Sequence, residues 1–528
     1  MREDARQLVS AALASYQDDP AAVEALTALD QRLREPLRLA VAGMVKAGKS
    51  TLLNAMIGEQ IAPTDAGECT RVVTWYRHAP TPYITMHPHE GEPRRMAVRR
   101  DAGRLVLELG GIPADEVDWI DVGWPSQRLA SAIIIDTPGI ASLSQNATDR
   151  SMTFLTPDDA VSSADAVIYL MRHLHGSDLK FLEAFRDTAA GASETVNAVA
   201  VLSRADEIGS GRIDSLLSAA RVARRYELDG DLTSLALGVI PVAGLLAEGA
   251  RTLREAEFAS LQHLAGLERQ ERQRLLISAD RFVRFPATAT MTLSESIRSQ
   301  LLARFGIFGV RLATSLIRAG VNDSTLLAER MVEQSGLMEL QEFVRVQFRA
   351  RSAALKVRAV LHDLEQILRA KPRLDAGEIR KGIERIQATS HSLRELSLMA
   401  RTRGRGFPLP PDVTRDAERI IGGKGTSATA RLGLKEGASA EELDERLNAE
   451  LTRWRSLVQS SLAERATVDV GRVVIRSLEE VASGLRAHIT GGAATDVVLP
   501  RGPVEGLRGD AAQQPEEDEG ALADEQLT

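Results

Sequence analysis

The chain has 528 residues, of which 44% are hydrophobic and 26% are charged. This length exceeds what a single hydrophobic core usually holds, and it predicts two or more domains. Lysine and arginine number 65 against 73 acidic residues, so the formal net charge is −8. An acidic chain is a poor general binder of polyanions, and we therefore expect no nucleic-acid partner.

The cysteine content and the first residues favour a cytoplasmic protein. Cys69 is the only cysteine, which excludes a disulfide within the chain and fits a reducing compartment. The first residues carry mixed charge without the apolar core of a signal peptide. The apolar stretch 306–321 contains Arg311 and Arg318, whereas a membrane span needs ~18 apolar residues with few or no charges. We therefore expect a protein that does not cross a membrane.

Hydrophobic periodicity divides the chain into parts. Residues 1–35 have apolar side chains at helical spacing on both sides of Pro20, which predicts N-terminal helices that pack with the helical part of the chain. Residues 36–250 alternate short apolar strands with helical stretches, a pattern typical of a mainly parallel sheet with helices on both faces. The predicted parallel strands are 37–42, 131–135, 166–171, 197–202 and 238–242, with antiparallel edge pieces at 72–76 and 83–86.

The second half of the chain is predicted to be helical. Residues 251–490 read as an all-α region, which we expect to form an elongated stalk. The stretch 323–369 alone has helical character over about 45 residues, which at ~1.5 Å per residue would exceed ~60 Å. Residues 491–528 are rich in Gly, Pro, Gln and acidic residues, a composition that predicts a disordered tail.

Residues 43–51 match the G-x-x-x-x-G-K-[ST] phosphate-binding loop and lie between a predicted strand and a predicted helix, as that loop requires. Gly43 and Gly48 allow backbone N–H groups to turn around phosphate oxygens at a helix N-terminus. Lys49 is expected to reach the β- and γ-phosphates, and the Ser50 hydroxyl is expected to bind Mg²⁺. The predicted nucleotide-binding residues of this loop are Gly43, Lys46, Ala47, Gly48, Lys49, Ser50 and Thr51.

Two further segments are predicted to contact the metal and the γ-phosphate. Asp136-Thr-Pro-Gly139 follows a short apolar strand, and in GTPases such an Asp holds Mg²⁺ while the Gly N–H contacts the γ-phosphate. Thr70 lies between the loop and this segment, where a switch threonine would bind Mg²⁺ and orient the attacking water. The alternative for Thr70 is an ordinary threonine at the start of an edge strand. The predicted Mg²⁺ ligands are Ser50, Thr70 and Asp136.

The base is predicted to bind at Ser203-Arg-Ala-Asp206, where GTPases usually carry Asn/Thr-Lys-x-Asp. The Asp206 carboxylate can accept hydrogen bonds from the N1–H and the exocyclic amine of guanine, and adenine would leave it unpaired. Arg204 can stack on the base, although arginine and lysine are not equivalent there. Val242 and Ala243 end the last strand, where backbone N–H groups are expected to approach the base.

The motifs also indicate which residues could catalyse hydrolysis. Ile140 follows Gly139 at the position where Ras-type enzymes place a water-orienting Gln. Lys46, the fourth residue of the loop, is then the candidate in the same chain to neutralise charge on the transferring phosphoryl group. A solvated loop lysine is the equal alternative. The predicted catalytic residues are Lys46, Lys49 and Thr70.

Together these motifs resemble those of bacterial dynamin-like GTPases. The resemblance rests on Gly-x-x-x-Ala-Gly-Lys-Ser-Thr at 43–51, on Thr70-Arg71, and on Asp136-Thr-Pro-Gly139 without a following Gln, with long helical flanks. It covers about residues 10 to 490 and leaves the acidic tail outside. It implies a GTPase head on a helical stalk, head-to-head self-association, and membrane remodelling. It also suggests a sibling dynamin-like protein as a partner.

Membrane contact would be sought in the helical half. The stretch 345–385 is rich in Arg and Lys, which could face anionic lipid headgroups, although a solvated helix face is the alternative. The segment 401–411 combines cationic residues with Phe407 and Leu409, which suits either a membrane-dipping tip or a loop packed on its neighbours. Gly422–Gly425 matches the G-x-x-G loop of an RNA-binding KH module. Because its flanks are helical and polar, we predict that it joins two helices.

The function that these observations favour is a dynamin-like GTPase with Mg²⁺ as cofactor. It would hydrolyse GTP, self-associate through its heads, and remodel or maintain an anionic membrane from the cytosolic side. The alternative is a monomeric switch GTPase that acts through a protein or ribosomal partner. A slow nucleotide sensor with negligible turnover is a third option.

Overall fold

The computed structural model describes residues 1–63, 71–101, 103–138, 164–185, 196–209, 211–228, 230–286, 288–403, 409–460 and 464–490. Thr70, Gly139 and Phe407, which the sequence analysis singled out, lie outside these ranges. The chain divides into two compact units, Met1–Val481 and Ala482–Thr528. The account below concerns the first unit.

The described strands are β1 Leu37–Gly43, β2 Val73–His78, β3 Tyr83–Pro88, β4 Arg94–Met96, β5 Arg99–Asp101, β6 Arg104–Val106, β7 Val117–Trp124, β8 Ala132–Asp136, β9 Ala166–Met171, β10 Ala198–Ser203 and β11 Val239–Val242. Nine of them form a mixed sheet in the order β11-β10-β9-β1-β8-β2-β7-β3-β4, and β5 pairs with β6 separately. The five strands β11, β10, β9, β1 and β8 are parallel, while β2 runs antiparallel to β8. The mainly parallel α/β fold predicted from the sequence is thus confirmed.

The parallel strands form because their residues are apolar on both faces. All residues of β9 and β10 are buried, as expected where helices cover both sides of a parallel sheet. The helices of this half and the residues leading to it are α1 Arg2–Ser15, α2 Pro20–Arg34, α3 Lys49–Ile57, α4 Gly176–Ala184, α5 Ser215–Glu227, α6 Gly230–Thr233 and α7 Gly244–Arg251.

The rest of the described chain is helical, as the sequence predicts. Its helices are α8 Glu255–Gly266, α9 Arg269–Leu275, α10 Ala279–Arg284, α11 Glu295–Arg318, α12 Ser324–Gln334, α13 Leu337–Phe343, a π-helical segment Val344–Arg349, α14 Ser352–Ala370, α15 Ala376–Thr389, α16 His391–Arg403, α17 Pro411–Ile420, α18 Ala428–Leu432, α19 Ala440–Gln459 and α20 Arg465–Thr490. Gly422–Gly425 joins α17 to α18, so the helix-joining role predicted for this segment is confirmed.

The expectation of one helix over 323–369 is wrong. Helix α12 ends at Gln334, and Gly336 then takes a left-handed conformation with φ 78°. A Cβ at Gly336 would lie 2.1 Å from the carbonyl oxygen of Pro241, so the chain breaks where it packs against β11. This contact is distant in sequence, and periodicity does not reveal it.

The basic stretch 345–385 is a solvated face only in part, since Arg369 is exposed while other charges of the stretch are buried. Arg351, Lys356 and Arg358 are buried, so they face neither lipid nor solvent. Arg351 Nη1 donates a hydrogen bond to Gln347 Oε1 at 2.7 Å, and Lys356 Nζ donates one to the Arg32 carbonyl at 3.0 Å. The charges of this stretch that are buried therefore stabilise the packing of helices.

Arg32, near the C-terminus of α2, ties three parts of the fold together. Its side chain is 1% exposed. It donates to Asp165 Oδ1 at 2.8 Å, just before β9, and to Asp363 Oδ2 at 3.2 Å, in α14. Removal of one member of a buried ion cluster leaves the other members without a partner. The two bonds of Arg32 therefore hold the N-terminal helices to both the sheet and the helical region.

Helix α11 is the one helix in the described ranges with the length and composition of a membrane span, with a mean hydropathy of 1.3 in its most apolar window. It packs closely on the sheet-bearing half of the chain, because a Cβ at Gly249 in α7 would lie 2.7 Å from the Arg304 carbonyl. Arg304 also donates to Glu257 Oε1 of α8 at 2.9 Å. These are the contacts of a helix packed within the protein.

Candidate nucleotide-binding site

A cavity of about 150 Å³ lies at the carboxyl ends of β1, β9, β10 and β11. Open α/β sheets bind their ligands at this edge, because the loops that leave parallel strands converge there. The predicted nucleotide-binding residues that line the cavity are Ala47, Gly48, Thr51, Ser203, Arg204, Asp206 and Val242. Segments far apart in sequence are therefore brought to one pocket.

The two glycines of the phosphate-binding loop adopt positive φ angles, which other residues rarely take. Gly43 has φ 146°, and a Cβ there would lie 2.3 Å from the Leu170 carbonyl oxygen. Gly48 has φ 93° and is the N-cap of α3. Helix α3 thus begins at Lys49 with its free N–H groups beside the cavity, which suits an anion.

Lys49 and Asp136 do not line the cavity itself; Lys49 begins α3, directly after Gly48 in the cavity wall, and Asp136 ends β8. Lys49 Nζ donates a hydrogen bond to the Gly43 carbonyl at 3.2 Å. Burial lowers the pKa of Lys49, although the Asp136 charge acts in the opposite direction. Burial raises the pKa of Asp136 to about 6, against the opposing effects of Lys49 and of a hydrogen bond from Ser50. Both groups are therefore poorly solvated, and titratable groups shifted in this way cluster at functional sites.

The oxygen atoms of Ser50 and Asp136 are of the kind that binds Mg²⁺. Ser50 Oγ donates to Asp136 Oδ2 at 3.1 Å, which places a hydroxyl and a carboxylate side by side. Asp136 Oδ1 is buried without a hydrogen-bond partner among the described residues. Oxygen ligands of this kind are those that Mg²⁺ prefers, and a carboxylate with one unused oxygen leaves room for the ion or its water.

Asp206 lines the pocket from the short 3₁₀ turn Ala205–Glu207. Its side chain is 8% exposed, and burial is the main reason that its pKa is raised. Ser203 instead uses its hydroxyl to donate to the Met171 carbonyl at 3.1 Å, which fixes the end of β10. The carboxylate is therefore the group of this segment that can read a base edge.

Arg204 connects the base side of the pocket to the phosphate loop. It has a left-handed backbone with φ 52°, and its Nη2 donates to the Lys46 carbonyl at 3.1 Å. Nη1 donates to Glu207 Oε1 at 2.8 Å. The Lys46 side chain is exposed, and its own backbone has φ 64°. The motif does not reveal this bridge, because it spans 158 residues.

The last strand contributes differently from the prediction. Val242 lines the cavity, and Gly244 and Leu245 at the start of α7 do so as well. The Ala243 N–H, which was expected to approach the base, donates to the Ser335 carbonyl at 2.9 Å. That amide is therefore used to dock the helical region onto β11.

One polar cluster near the pocket was missed by the sequence analysis. Asn54 in α3 and Glu248 in α7 are both buried and hydrogen-bonded to each other at 3.3 Å. The available signal was a single Asn within the apolar run Leu52–Ile57. Its partner could not be inferred, because the two residues are 194 positions apart.

Comparison with known proteins agrees with this geometry. Residues 39–181 match the model of the dynamin family. The isoniazid-induced protein IniC of Mycobacterium tuberculosis (strain ATCC 25618 / H37Rv) is 40% identical over 490 residues, which are 92% of this chain and 98% of IniC. The bacterial dynamin-like protein of Nostoc punctiforme is 28% identical over 166 residues, 28% of this chain and 22% of that protein.

A solved structure of an oligomerised bacterial dynamin pair aligns over 93% of this chain and 74% of its own, with 12% identity and a TM-score of 0.34. At that score the structural alignment adds nothing to the sequence relationship. The relationship to IniC, in contrast, runs through both the sheet-bearing and the helical parts of the chain.

Proposed function

Since the chain belongs to the dynamin family, as a bacterial dynamin-like protein, we propose that it binds GTP with Mg²⁺ and hydrolyses it to GDP and phosphate. The observation that carries this proposal is a cavity lined both by Gly48 and Thr51, which flank Lys49 and Ser50 in the phosphate-binding loop, and by Asp206. A phosphate group and a guanine base would each meet the chemistry that suits them there.

The roles of the residues follow from their positions. Lys49 and the first N–H groups of α3 bind the phosphates, because they supply the positive charge at the phosphate side. Ser50 and Asp136 would hold Mg²⁺, which when bound neutralises charge on the β- and γ-phosphates. Asp206 selects guanine, because its carboxylate accepts from two donors that adenine does not offer together.

We further propose that two GTPase domains pair when nucleotide is bound, and that the protein acts on an anionic membrane from the cytosolic side. The absence of a Gln at Ile140 supports the first part, because some other group must then complete the catalytic site. Thr70, Gly139 and Lys46 are the further residues that we assign to the γ-phosphate. A sibling dynamin-like protein is a further candidate partner.

The test is GTP turnover per molecule over a hundredfold range of protein concentration, with and without vesicles of phosphatidylglycerol and phosphatidylcholine. We expect turnover to rise with concentration and the protein to sediment with the vesicles in the presence of GTP. Lys49→Ala is the control, because it removes the charge aimed at the phosphates and should abolish GTP binding. Turnover that stays flat over the whole range would exclude self-association and favour a monomeric switch GTPase.

A further inference from the structure

Helix α11 is interrupted at Gly306, which has φ 64° and ψ 172°. This backbone conformation is essentially confined to glycine, and such positions cluster at functional sites. A Cβ at Gly306 would lie 3.7 Å from Asp206 Oδ2 and 3.6 Å from Leu245 Cδ2. Asp206 and Leu245 both line the nucleotide cavity. The interruption of α11 therefore lies directly beside the carboxylate that can read a base.

Arg311, in the second part of α11, binds backbone carbonyls of two other segments. Its Nε donates to the Leu276 carbonyl at 2.9 Å, and its Nη2 donates to the Ile277 carbonyl at 2.8 Å. Its Nη1 donates to the carbonyl of Gly211. A planar guanidinium suits this arrangement, because its N–H groups point in fixed directions. Arg311 therefore ties the chain at Gly211 to the segment that follows α9.

Gly211 in turn packs against the backbone of Asp206. A Cβ at Gly211 would lie 3.7 Å from the Asp206 carbonyl oxygen and 3.2 Å from Ile307 Cγ2. Helix α11 thus approaches the Asp206 side chain at Gly306, and it approaches the Asp206 backbone through Gly211. The position of the carboxylate is therefore fixed from two directions by a helix of the helical region.

We propose that Gly306 and Arg311 are positioning residues for guanine recognition, which hold Asp206 where its carboxylate accepts both guanine donors. This inference rests on the proposed GTPase function and adds that the helical region sets the base selectivity. Neither residue belongs to the described wall of the cavity, so each would act through Asp206. Loss of Arg311 should therefore reduce discrimination between bases more than it reduces binding of the phosphates.

The readout is the ratio of the dissociation constants of inosine diphosphate and GDP, measured by isothermal titration calorimetry. Inosine lacks the exocyclic amine of guanine, so it offers Asp206 only the N1–H. A hydrogen bond to a charged group changes a binding constant by about tenfold to a hundredfold, and wild type should prefer GDP by that factor. A defect in the phosphate loop weakens both nucleotides equally and leaves the ratio unchanged. A displaced Asp206 lowers the ratio.

The first variant is Arg311→Ala. We expect the ratio to fall by about threefold or more, because a displaced carboxylate loses much of its bond to the amine. The matched control is Arg304→Ala on the same helix. Arg304 also donates to a backbone carbonyl, that of Thr252 at 2.8 Å, and to Glu257 Oε1 at 2.9 Å. The control should lower the melting temperature and leave the ratio unchanged.

Two further variants keep the test decisive if Arg311→Ala does not fold. Arg311→Lys keeps the charge without the planar fork, and it should lower the ratio by about twofold or more. Gly306→Ala directs a methyl group at Asp206 from a backbone that alanine rarely adopts. We expect its ratio to approach that of Asp206→Asn.

A double-mutant cycle shows whether Arg311 acts through Asp206. In the Asp206→Asn background, Arg311→Ala should change the ratio by less than about twofold, because the group that it positions is already lost. An equal loss with and without the Asp206 carboxylate would overturn the inference. A wild-type ratio in Arg311→Ala, with a melting temperature that falls as in Arg304→Ala, would show that Arg311 only stabilises the fold.

Failure of the proposed function gives a different result. If the wild-type protein binds inosine diphosphate as tightly as GDP, Asp206 does not read the exocyclic amine, and both the guanine assignment and this inference are wrong. If wild type prefers GDP and all of the α11 variants keep that preference, only the inference is wrong.

Discussion

Two buried carboxylates of the nucleotide pocket, Asp136 and Asp206, are poorly stabilised by the described residues around them, whereas the buried carboxylate of Glu395 in the helical region is surrounded by hydrogen-bond donors. In the pocket, burial raises the pKa of Asp136 to about 6 and also raises the pKa of Asp206. In the helical region, burial alone would raise the pKa of Glu395. Hydrogen bonds from His391 and Arg431 instead lower it to about 2.

The contacts around Glu395 explain this difference. Arg431 Nη2 donates to Glu395 Oε2 at 3.2 Å, and Ser477 Oγ donates to Oε1 at 2.7 Å. The carboxylate therefore joins α16, α18 and α20. Asp136, in contrast, has one oxygen without a partner in the described chain. Removal of one partner of a buried pair is costly, whereas a buried carboxylate with a raised pKa beside a phosphate-binding loop is typical of a functional site.

The largest change in the free energy of unfolding is expected when Glu395 is replaced. Glu395→Ala leaves Arg431 buried without its carboxylate, and loss of one partner of a buried pair costs about 3–5 kcal/mol of unfolding free energy. Chemical denaturation followed by circular dichroism measures the loss. Glu384→Ala is the control, because that carboxylate is exposed on α15. If both variants unfold like wild type, the cluster does not stabilise the helical region.

The contribution of Glu395 should also depend on pH in a defined direction. Its pKa is lower in the folded protein than the value of 4.5 of a free Glu side chain. The stability it supplies is therefore complete above about pH 4.5 and is lost as the pH falls towards 2. The difference in stability between wild type and Glu395→Gln should shrink over that interval. A difference independent of pH would contradict the pairing.

Removal of a buried charge in the pocket should stabilise the nucleotide-free protein, whereas removal of Glu395 should destabilise it. Asp206→Asn removes a buried carboxylate whose charged form is disfavoured, so the nucleotide-free protein should gain about 0.5–2 kcal/mol of stability. GTP affinity should fall by about a hundredfold, because the amide cannot accept both guanine donors. Thermal unfolding and isothermal titration calorimetry measure the two effects. Asp214→Asn, at an exposed ion pair with Arg212, should change neither. If Asp206→Asn is less stable than wild type without nucleotide, the contrast between Asp206 and Glu395 is wrong.

Much of the fold was predictable, because short apolar runs report buried strands directly. The predicted strand 166–171 matches β9, and the other parallel strands differ by one or two residues. The phosphate loop was predictable for a related reason, since glycine spacing and Lys49 reflect contacts made within a few residues. Asp206 was found because Ser203-Arg-Ala-Asp206 follows a strand and resembles the Asn/Thr-Lys-x-Asp motif of GTPases.

What could not be predicted depends on contacts between distant parts of the chain. Helical periodicity continues through residues 323–369, but Gly336 breaks the helix to pack on Pro241. Lys356 looked like a solvated or lipid-facing charge, yet its ammonium group donates to the Arg32 carbonyl. Burial lowers the pKa of Lys356 to about 8, which no local pattern indicates.

The smallest effect, and the sharpest test of the pocket, concerns Lys46. Its side chain is exposed while its carbonyl accepts a hydrogen bond from Arg204 Nη2 at 3.1 Å. The side chain is therefore available to a phosphoryl group, and the backbone is held independently of it. Alanine suits this test because it is as strained as lysine at φ 64°, whereas glycine would relax the loop.

If Lys46 neutralises charge that develops on the transferring phosphoryl group, Lys46→Ala should lower kcat with GTP affinity almost unchanged, because the added charge exists only in the transition state. Arginine fingers contribute roughly 10³–10⁵ in rate. A lysine lacks their bidentate fork, so we expect a loss of about tenfold to a hundredfold. Steady-state kinetics at a concentration where GTPase domains can pair measure it, with Lys180→Ala on α4 as the exposed control. An unchanged kcat would discard the finger role and leave Thr70 to position the attacking water.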